Sequence, residues 1–543
     1  MINGKDLKPQ DMGITSEQLT KIDSLMDLPA PFDKPGMEPE FTEPKEEWRK
    51  KFCASLDGYI GVDALTRPET KEEEAEFVKK FLNGLENMLS DQANRNLILP
   101  VLLSFEYCAK CNTCSEACHI FLATNGHELY RPIFRSEVLR KIAKKHMKGE
   151  GLVASFIGGD IDINWETIAR LAELAYRCNL CRRCAQTCPL GIDNGLLTRE
   201  IRKIFSMEMG IAPKPIHEKG AALQIKTGSS TGMSGAALVD DIEFIEEDYG
   251  KIIGRSFKMP VNKKGADILL THNAGEFKAW PENPAAFAIL FEEAGLNWTL
   301  STEYMGYDNV NYGAWYDDSM TRKIALDQLK VAKDLGVKRI ILGECGHAHR
   351  ATIVTADRLL TGEDLIPRES FLPLLWELIR DKKLKVDPSK NNFPVTMHDP
   401  CNMARMMGIV KPQLEITKAV VPESQYRDMY PGGVNNFCCG GGSGFAILKS
   451  MNFSEFRTKV SVRVKFKQIL DAFQGVIEDV DTPKYIAAPC SNCKGAIRDI
   501  LKTYKLTDKY NVHYGGVVEL VVNALVSIEK PFLDFLREDE DDE

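Results

Sequence analysis

Two stretches of sequence decide the fold: CAKCNTCSEAC at residues 108–118 and CNLCRRCAQTCP at residues 178–189. Both follow the spacing C-x-x-C-x-x-C-x-x-x-C. A loop with this spacing wraps three thiolates around one compact metal centre, and the fourth cysteine departs at the start of a helix. The two stretches therefore predict a pair of metal-binding loops set among short helices.

The spacing favours iron–sulfur clusters over zinc. Zinc takes four ligands, commonly from two separated pairs of residues. Here four closely spaced cysteines occur twice, and in two-cluster ferredoxins the fourth cysteine of each run reaches the other cluster. We therefore predict two cubane 4Fe–4S clusters with crossed ligands. The first predicted set is Cys108, Cys111, Cys114 and Cys188, and the second is Cys178, Cys181, Cys184 and Cys118.

One position departs from the usual pattern. His119 follows the first stretch where proline is usual, whereas Pro189 follows the second. Proline is not a ligand, so we expect the cluster to survive the change. We interpret His119 as a helix residue, and the alternative is a hydrogen bond from its ring to a cluster sulfur.

Composition narrows the class of protein. A chain of 543 residues is too long for one hydrophobic core, and its net charge of −9 argues against nucleic acid as a partner. The first thirteen residues lack the apolar region of a targeting signal, and no run approaches the ~20 apolar residues of a membrane helix. Most of the fifteen cysteines are clustered at metal-ligand spacings, which in a large chain indicates metal sites in a reducing compartment. We expect a cytoplasmic protein that meets a membrane only through partners.

The chain divides by pattern into five predicted segments. These are 1–95, an extended N-terminal arm with short helices that binds a partner; 96–215, a helical two-cluster ferredoxin domain; 216–259, a linker; 260–530, an α/β domain; and 531–543, an acidic tail. For the proline-rich acidic stretch 28–46 of the arm, a disordered leader is an equal alternative. In the ferredoxin segment, helical spacing of apolar residues predicts helices over 135–147 and 165–177, with Asn164 as the N-cap of the second.

The α/β prediction comes from short apolar runs that end in polar or cysteine-bearing turns. They lie at 266–271, 337–342, 393–397 and 485–488. Strands that feed ligand loops at their carboxyl ends have this pattern.

Three further motifs occupy the α/β segment: HDPC at 398–401, CCGGG at 438–442 and PCSNC at 489–493. The side chains of Cys438 and Cys439 diverge, so both bind only a centre larger than one ion. The glycines that follow allow close approach of the backbone. A phosphate loop lacks support because no Lys-Ser/Thr follows the glycines. A structural zinc site would leave a fifth thiolate unexplained.

This constellation resembles the CCG domain of the heterodisulfide reductase catalytic subunit, a family with two such repeats. The resemblance implies a multidomain α plus α/β protein, in which the helical ferredoxin domain precedes a pseudo-duplicated α/β CCG domain with one intact cluster site. It also implies one non-cubane 4Fe–4S cluster. The implied ligands are Cys401, Cys438, Cys439, Cys490 and Cys493.

The other repeat is degenerate. By spacing, Gly275 stands for Cys401, residues 312–313 for the cysteine pair, and Ala348 for Cys493, while Cys345 matches Cys490. We interpret Cys345 either as an inert buried thiol or, as we favour, as a group close to the catalytic cluster.

Two histidines follow that surviving thiol. His347 or His349 is a candidate proton donor to a departing thiolate, with a structural role as an equal alternative.

The order of the domains resembles fused heterodisulfide reductase subunits over residues 96–530, and above all those of the sulfite-reduction-linked DsrMKJOP membrane complex. That resemblance implies electrons from menaquinol and a DsrM-like haem b membrane subunit, other Dsr complex subunits as neighbours, and a DsrC-like protein disulfide or trisulfide as substrate. It places the chain peripherally on the inner face of the cytoplasmic membrane. The alternatives are a Tmc-complex relative, and an electron-transfer-only subunit of a glycolate, lactate or glycerol-3-phosphate oxidising complex.

Cys53 stands alone in the N-terminal segment, so we predict that it is not a ligand. Cys53→Ala should leave the iron content of anaerobically purified protein unchanged. A lower ratio of iron to protein in this variant would contradict the prediction.

Overall fold

The computed structural model describes residues 20, 68–90, 92–94, 97–148, 161–359, 366–445 and 456–535. Most of the predicted N-terminal arm, with Cys53, and the acidic residues 537–543 lie outside the described residues. Among the helices that are described, none is long and apolar enough to cross a membrane.

The chain forms two compact units. Of the described residues, the first comprises those up to Glu218 together with those in Tyr312–Met320 and Phe437–Lys467. The second comprises Lys219–Asn311, Thr321–Asn436 and the residues from Gln468 onward. The change of unit after Glu218 lies close to the predicted end of the ferredoxin segment. The two later segments of the first unit were not foreseen, because the sequence was divided into consecutive domains.

The first unit is helical where it is described. The two predicted helices are confirmed as Pro132–Lys148 and Trp165–Tyr176, and the side chain of Asn164 accepts the N–H of Thr167 at 3.0 Å. The α-helices of this unit are Lys71–Met88, Ile98–Glu106, Thr113–Glu116, His119–Ala123, Pro132–Lys148, Trp165–Tyr176, Arg183–Gln186, Asn194–Lys203 and Lys214–Ile216. Single 3₁₀ or π turns are Glu128–Tyr130, Ile204–Glu208, Tyr312–Trp315 and Arg457–Ser461.

The predicted N-terminal arm is not extended over its last part, where the helix Lys71–Met88 forms. Thr70 caps it by accepting the N–H of Glu73 at 3.1 Å, and the acidic first turn suits the positive end of the helix dipole. Phe81 is fully buried with its ring 5.5 Å from that of Phe205. This part of the N-terminal segment therefore belongs to the core of the first unit.

The second unit contains two four-stranded parallel sheets. The first has the order β2-β1-β3-β4 and the second the order β6-β5-β7-β8. The strands are β1 Ile268–Thr271, β2 Trp298–Thr299, β3 Arg339–Leu342, β4 Arg368–Ser370, β5 Val395–Met397, β6 Tyr426–Arg427, β7 Lys484–Ala487 and β8 Val512–Gly515. The four predicted strands are confirmed as β1, β3, β5 and β7. Their almost complete burial explains the continuous apolar runs that predicted them.

Helices connect these strands. In the second unit they are Ala222–Thr227, Gly235–Ile253, Glu276–Ala279, Glu282–Glu293, Gly346–Ala348, His349–Thr355, Ala356–Leu359, Phe371–Arg380, Pro388–Asn391, Cys401–Met407, Lys411–Val420, Gly433–Asn435, Ser491–Tyr504, Leu506–Tyr510 and Val517–Ala524. At three further helices the chain passes from one unit to the other: His217–Ala221, Asp318–Leu335 and Arg463–Ala472.

One hydrophobic core serves both sheets of the second unit. It includes Ile268 and Ile341 from the first sheet and Val395 and Tyr485 from the second. The buried carboxylate of Glu344 adds a polar link between the two halves, because its Oε1 accepts the backbone N–H groups of Val517 and Val518 at 2.8 and 3.1 Å. The two sheets therefore form one folding unit.

The predicted linker at 216–259 is wrong. The helix Gly235–Ile253 fills most of it, and its buried residues, Leu238, Ile242, Ile245, Tyr249 and Ile253, follow helical spacing into the core. Ser234 caps the helix by accepting the N–H of Ala237 at 3.2 Å, and Gly254 ends it with φ +75°. The small residues that suggested a linker supply caps and turns.

The start of the predicted acidic tail is also part of the core. Phe532 is buried, and the ring of Phe535 lies 5.0 Å from that of Phe393 and 4.9 Å from that of His513. Aromatic burial outweighs the acidic composition of the last residues.

We predict that Ile245→Ala lowers the free energy of unfolding by about 2–5 kcal/mol, because the Ile245 side chain is fully buried and its removal leaves a cavity. Its neighbour Phe244 is 60% exposed on the same helix, so Phe244→Ala should stay within about 0.5 kcal/mol of the parent. Denaturant titrations measure both. Equal effects of the two variants would mean that 235–253 is a linker after all.

Candidate metal centres

The two cysteine stretches adopt the same backbone. Lys110 and Leu180, at equivalent positions, have φ of +58° and +49°. Asn112 and Arg182, also equivalent, have φ of +64° and +59°. Residues other than glycine rarely take positive φ, and they persist there only when the surroundings enforce it. Both loops are therefore wound in the same way ahead of their short helices.

Sulfur atoms from both stretches meet around Cys114. Burial, together with negative charge at Cys108, Cys188 and Cys111, raises the pKa of Cys114 to about 11. Cys111 is exposed, and the hydrogen bond with Thr113 lowers its pKa. Cys188 belongs to the second stretch, so the fourth cysteine of that stretch lies with three cysteines of the first.

The reciprocal arrangement surrounds Cys118. Burial and the charges of Cys178 and Cys181 raise the pKa of Cys118 to about 12. Burial, followed by the charges of Cys181, Asp193, Cys178 and Cys118, likewise raises the pKa of Cys184 well above its usual range. The structure therefore brings the eight cysteines together in two groups of four, each with one member from the other stretch.

A small cavity lies beside the second group. All four thiols of that group line it, and so do Arg135, Arg177 and Arg182. Arg202 adds a buried guanidinium that donates to the carbonyl of Cys178 at 2.7 Å. Guanidinium groups offset the negative charge that four thiolates bring.

These residues fit iron–sulfur clusters. Each group offers sulfur alone as donor, and the raised pKa values of Cys114, Cys118 and Cys184 mean that bare thiolates would be costly. A bound cation removes that cost by taking the thiolate form as its ligand. Clusters of iron and sulfide supply such cations at this ligand number and spacing.

The cysteine pair lies in the first unit. The N–H groups of Gly440 and Gly441 point at the sulfurs of Cys438 and Cys439, each at 3.4 Å. Gly440 has φ +91°, and a Cβ there would lie 2.9 Å from the carbonyl oxygen of Ser461. The glycines therefore let the backbone fold back over both sulfurs.

His119 lies beside this pair. One of its ring nitrogens, Cys181 Sγ and Cys438 Sγ are all within 4.8 Å of one another. Its Nε2 is 2.9 Å from Oδ1 of Asn179. The interpretation of His119 as an ordinary helix residue is therefore incomplete.

The other three predicted ligands of the third centre lie in the second unit, each buried after a strand. Cys401 begins a helix after β5, Cys490 occupies the N-cap position of the helix after β7, and Cys493 lies in the first turn of that helix. The ring Nε2 of His398 is 3.3 Å from the sulfur of Cys493. The N–H of Gly346 donates to the sulfur of Cys490 at 3.3 Å.

Cys345 is fully buried close to Cys490. Burial and the charges of Glu276 and Cys490 raise the pKa of the Cys345 thiol. Its sulfur accepts the N–H of Ala348 at 3.4 Å, so it caps the short helix Gly346–Ala348. The structure thus places Cys345 near a predicted ligand, as favoured above, and also gives it a structural contact.

The contacts of the two histidines favour the structural alternative. His347 Nε2 is 2.8 Å from the carbonyl oxygen of Asn311, and burial lowers its pKa to about 4. Both nitrogens of His349 have partners at 2.8 Å, and burial lowers its pKa to about 4 as well. Side chains that stay neutral and hydrogen-bonded at neutral pH are poor sources of a proton.

Sequence reasoning missed the groups that support the sulfurs. Asn179 occupies a variable position of the spacing, Ser461 lies in no motif, and Gly346 was noted only as a neighbour of Cys345. Gly346 follows the carboxyl end of β3, where ligand loops are expected, so its position in the sequence could have indicated a role beside the sulfurs. Nothing in the sequence marks Ser461.

We predict that Gly346→Ala destabilises the protein by about 1–3 kcal/mol, because a Cβ there would lie 2.8 Å from the sulfur of Cys490. Gly495→Ala is the matched control, since its Cβ would meet Trp280 at an ordinary 3.6 Å inside a helix, where alanine is favoured. Thermal unfolding of both variants tests this. A stabilising Gly346→Ala would contradict it.

Comparison with known proteins agrees with the two groups of motifs. A 4Fe-4S dicluster domain matches residues 104–192, and a cysteine-rich CCG domain matches residues 395–498. The predicted order of the two domains is therefore confirmed.

Relatives cover most of the chain. Hdr-like menaquinol oxidoreductase iron-sulfur subunit 2 of Archaeoglobus fulgidus is 25% identical over 496 residues, which is 83% of this chain and 84% of the relative. The Hdr-like menaquinol oxidoreductase iron-sulfur subunit of Archaeoglobus profundus is 24% identical over 78% of this chain and 79% of the relative. A subunit of the dihydromethanophenazine:CoB–CoM heterodisulfide reductase of Methanosarcina barkeri is 22% identical over 79% of this chain and 96% of the relative.

These findings support iron–sulfur clusters over zinc. Over most of its length the chain is similar to heterodisulfide-reductase-like iron–sulfur subunits, and its two matched domains support an iron–sulfur redox subunit.

Proposed function

We propose that this chain is the iron–sulfur subunit of a menaquinol-linked membrane complex, that it reduces a protein disulfide or trisulfide, and that it corresponds to DsrK of DsrMKJOP. One observation carries the proposal: a dicluster domain and a CCG domain with all five cysteines share one chain. The names of the Archaeoglobus relatives supply the link to menaquinol.

The proposed cubane ligands are the two crossed sets. Mutual effects on the pKa values of Cys114, Cys118 and Cys184 support this division, because charge acts strongly only over short distances. Cys401, Cys438, Cys439, Cys490 and Cys493 would hold the third, non-cubane cluster. When bound, the cubanes would supply electrons one at a time, and the third cluster would supply an iron site for sulfur.

Three features support a pseudo-duplicated CCG domain with one intact site. Counted along the chain, both sheets have the strand order second, first, third, fourth. Cys345 and Cys490 occupy the N-cap positions of the helices that follow β3 and β7. The segments Tyr312–Met320 and Phe437–Lys467 also both belong to the first unit. They contain the positions 312 and Cys438, which correspond to each other by spacing in the two halves.

The proposed reaction balances with menaquinol as reductant. A disulfide takes two electrons and two protons to give two thiols, and one menaquinol supplies both on oxidation to menaquinone. A trisulfide takes four electrons and four protons to give two thiols and hydrogen sulfide, and so consumes two menaquinols. The partners would be a haem b membrane subunit, which would hold the chain at the inner face of the membrane, and a DsrC-like substrate.

His398 has a role of its own at the third site. Asn436 Nδ2 lies 3.4 Å from His398 Nδ1, which leaves Nε2 to donate to the sulfur of Cys493. A hydrogen bond to a ligand sulfur stabilises its negative charge and tunes the potential of the cluster.

We predict that Cys438→Ser abolishes reduction of an oxidised DsrC-like substrate and leaves both cubane signals in the electron paramagnetic resonance (EPR) spectrum. The reason is that Cys438 belongs to the proposed third set and to neither crossed set. Thiol release and EPR spectra of the anaerobic protein measure the two effects, with Cys53→Ala as the thiol control. Undiminished substrate reduction in Cys438→Ser would favour an electron-transfer-only subunit, and loss of every cluster signal would contradict the division of ligands.

A further inference from the structure

Three buried polar side chains of the first unit form one hydrogen-bonded group. His119 Nε2 lies 2.9 Å from Asn179 Oδ1, and Ser461 Oγ donates to the same oxygen at 2.8 Å. His119 and Asn179 are 3% exposed, and Ser461 is fully buried. We call His119, Asn179 and Ser461 the junction triad.

The orientation of the triad follows from its contacts. Asn179 Nδ2 donates to the carbonyl oxygens of Gly440 and Gly442 at 2.9 and 3.3 Å. Its Oδ1 is therefore the acceptor, and His119 must donate from Nε2. Ser461 Oγ also lies 3.3 Å from the carbonyl oxygen of Gly440 and 3.5 Å from His119 Nε2, so more than one contact joins the triad to the loop after Cys439.

The triad links two loops that are far apart in sequence. Asn179 lies inside the loop between Cys178 and Cys181, whereas Gly440 and Gly442 follow the pair Cys438–Cys439. Two more bonds join the same loops: Ser443 Oγ donates to the carbonyl of Cys178 at 3.2 Å, and Arg202 donates to the carbonyls of Cys178 and Ser443 at 2.7 and 3.2 Å.

This link brings Cys181 and Cys438 together. Their sulfurs and one ring nitrogen of His119 lie within 4.8 Å of one another. Cys181 belongs to the second proposed cubane set and Cys438 to the proposed third set. The exposed thiol Cys111 belongs to the first cubane set, which therefore reaches the surface.

We propose that His119 and Asn179 are positioning residues for electron transfer, and that they hold the Cys181 loop against the Cys438 loop so that the second cubane set is the direct donor to the third centre. This inference rests on the proposed function. Each transfer removes one electron from the Cys181 side and adds one to the Cys438 side. The order of the relay is then first set, second set, third centre.

The test uses anaerobic full-length holoprotein, which is reduced by a light flash in the presence of deazaflavin. Absorption and freeze-quench EPR then follow the rate at which electrons reach the third centre. His119→Leu removes the donor to Asn179, so the Cys181 and Cys438 loops are held together less closely, and it should slow the intramolecular phase at the third centre severalfold. Iron content and both cubane signals should not change. His119→Gln retains a donor and should restore most of the rate.

The control is Tyr130→Phe, because Tyr130 lines the same cavity and makes none of the triad's bonds. If His119→Leu does not assemble its clusters, Ser461→Ala decides, with slower transfer expected because the bond to Asn179 Oδ1 is lost. Parent-like rates in the assembled triad variant would overturn the inference. Absence of a third cluster signal in the parent would instead overturn the proposed function, so the two failures are distinct.

Discussion

Buried thiols that cannot bear their charge alone are the constraint on which this structure depends. Cys114, Cys118 and Cys184 have pKa values raised by burial and by neighbouring sulfurs, so without a cation these sites would stay protonated. Bound iron would take these thiolates as ligands and so compensate the negative charge that is unfavourable without it. The surrounding arginines, among them Arg135 and Arg202, fit a protein that must accommodate excess negative charge in its interior.

The same constraint accounts for the backbone of the first unit. Positive φ at Lys110, Asn112, Leu180 and Arg182 is unfavourable for residues with side chains, yet it recurs at equivalent places in both loops. Loops wound in this way direct several sulfurs inward and begin a short helix. The unfavourable positive φ angles therefore occur where the loops must turn their cysteines toward a common centre.

Local signals in the sequence predicted the parts of the fold that depend on spacing. The order of the two cysteine-bearing domains, the buried strands and the cap at Asn164 all follow from patterns over a few residues. The helix Gly235–Ile253 was missed because Ser, Thr and Gly serve equally as linker residues and as caps, although its buried residues had helical spacing. The junction triad could not be predicted, since Asn179 and Ser461 are far apart in sequence and belong to no motif.

We propose that thirteen cysteines of this chain are committed to iron and sulfide. Quantitative metal and acid-labile sulfide analysis of the anaerobically purified protein tests it most directly. Three 4Fe–4S clusters predict about twelve irons and about as many sulfides for each chain. A colourless protein without iron, or one that contains zinc in its place, would contradict the account.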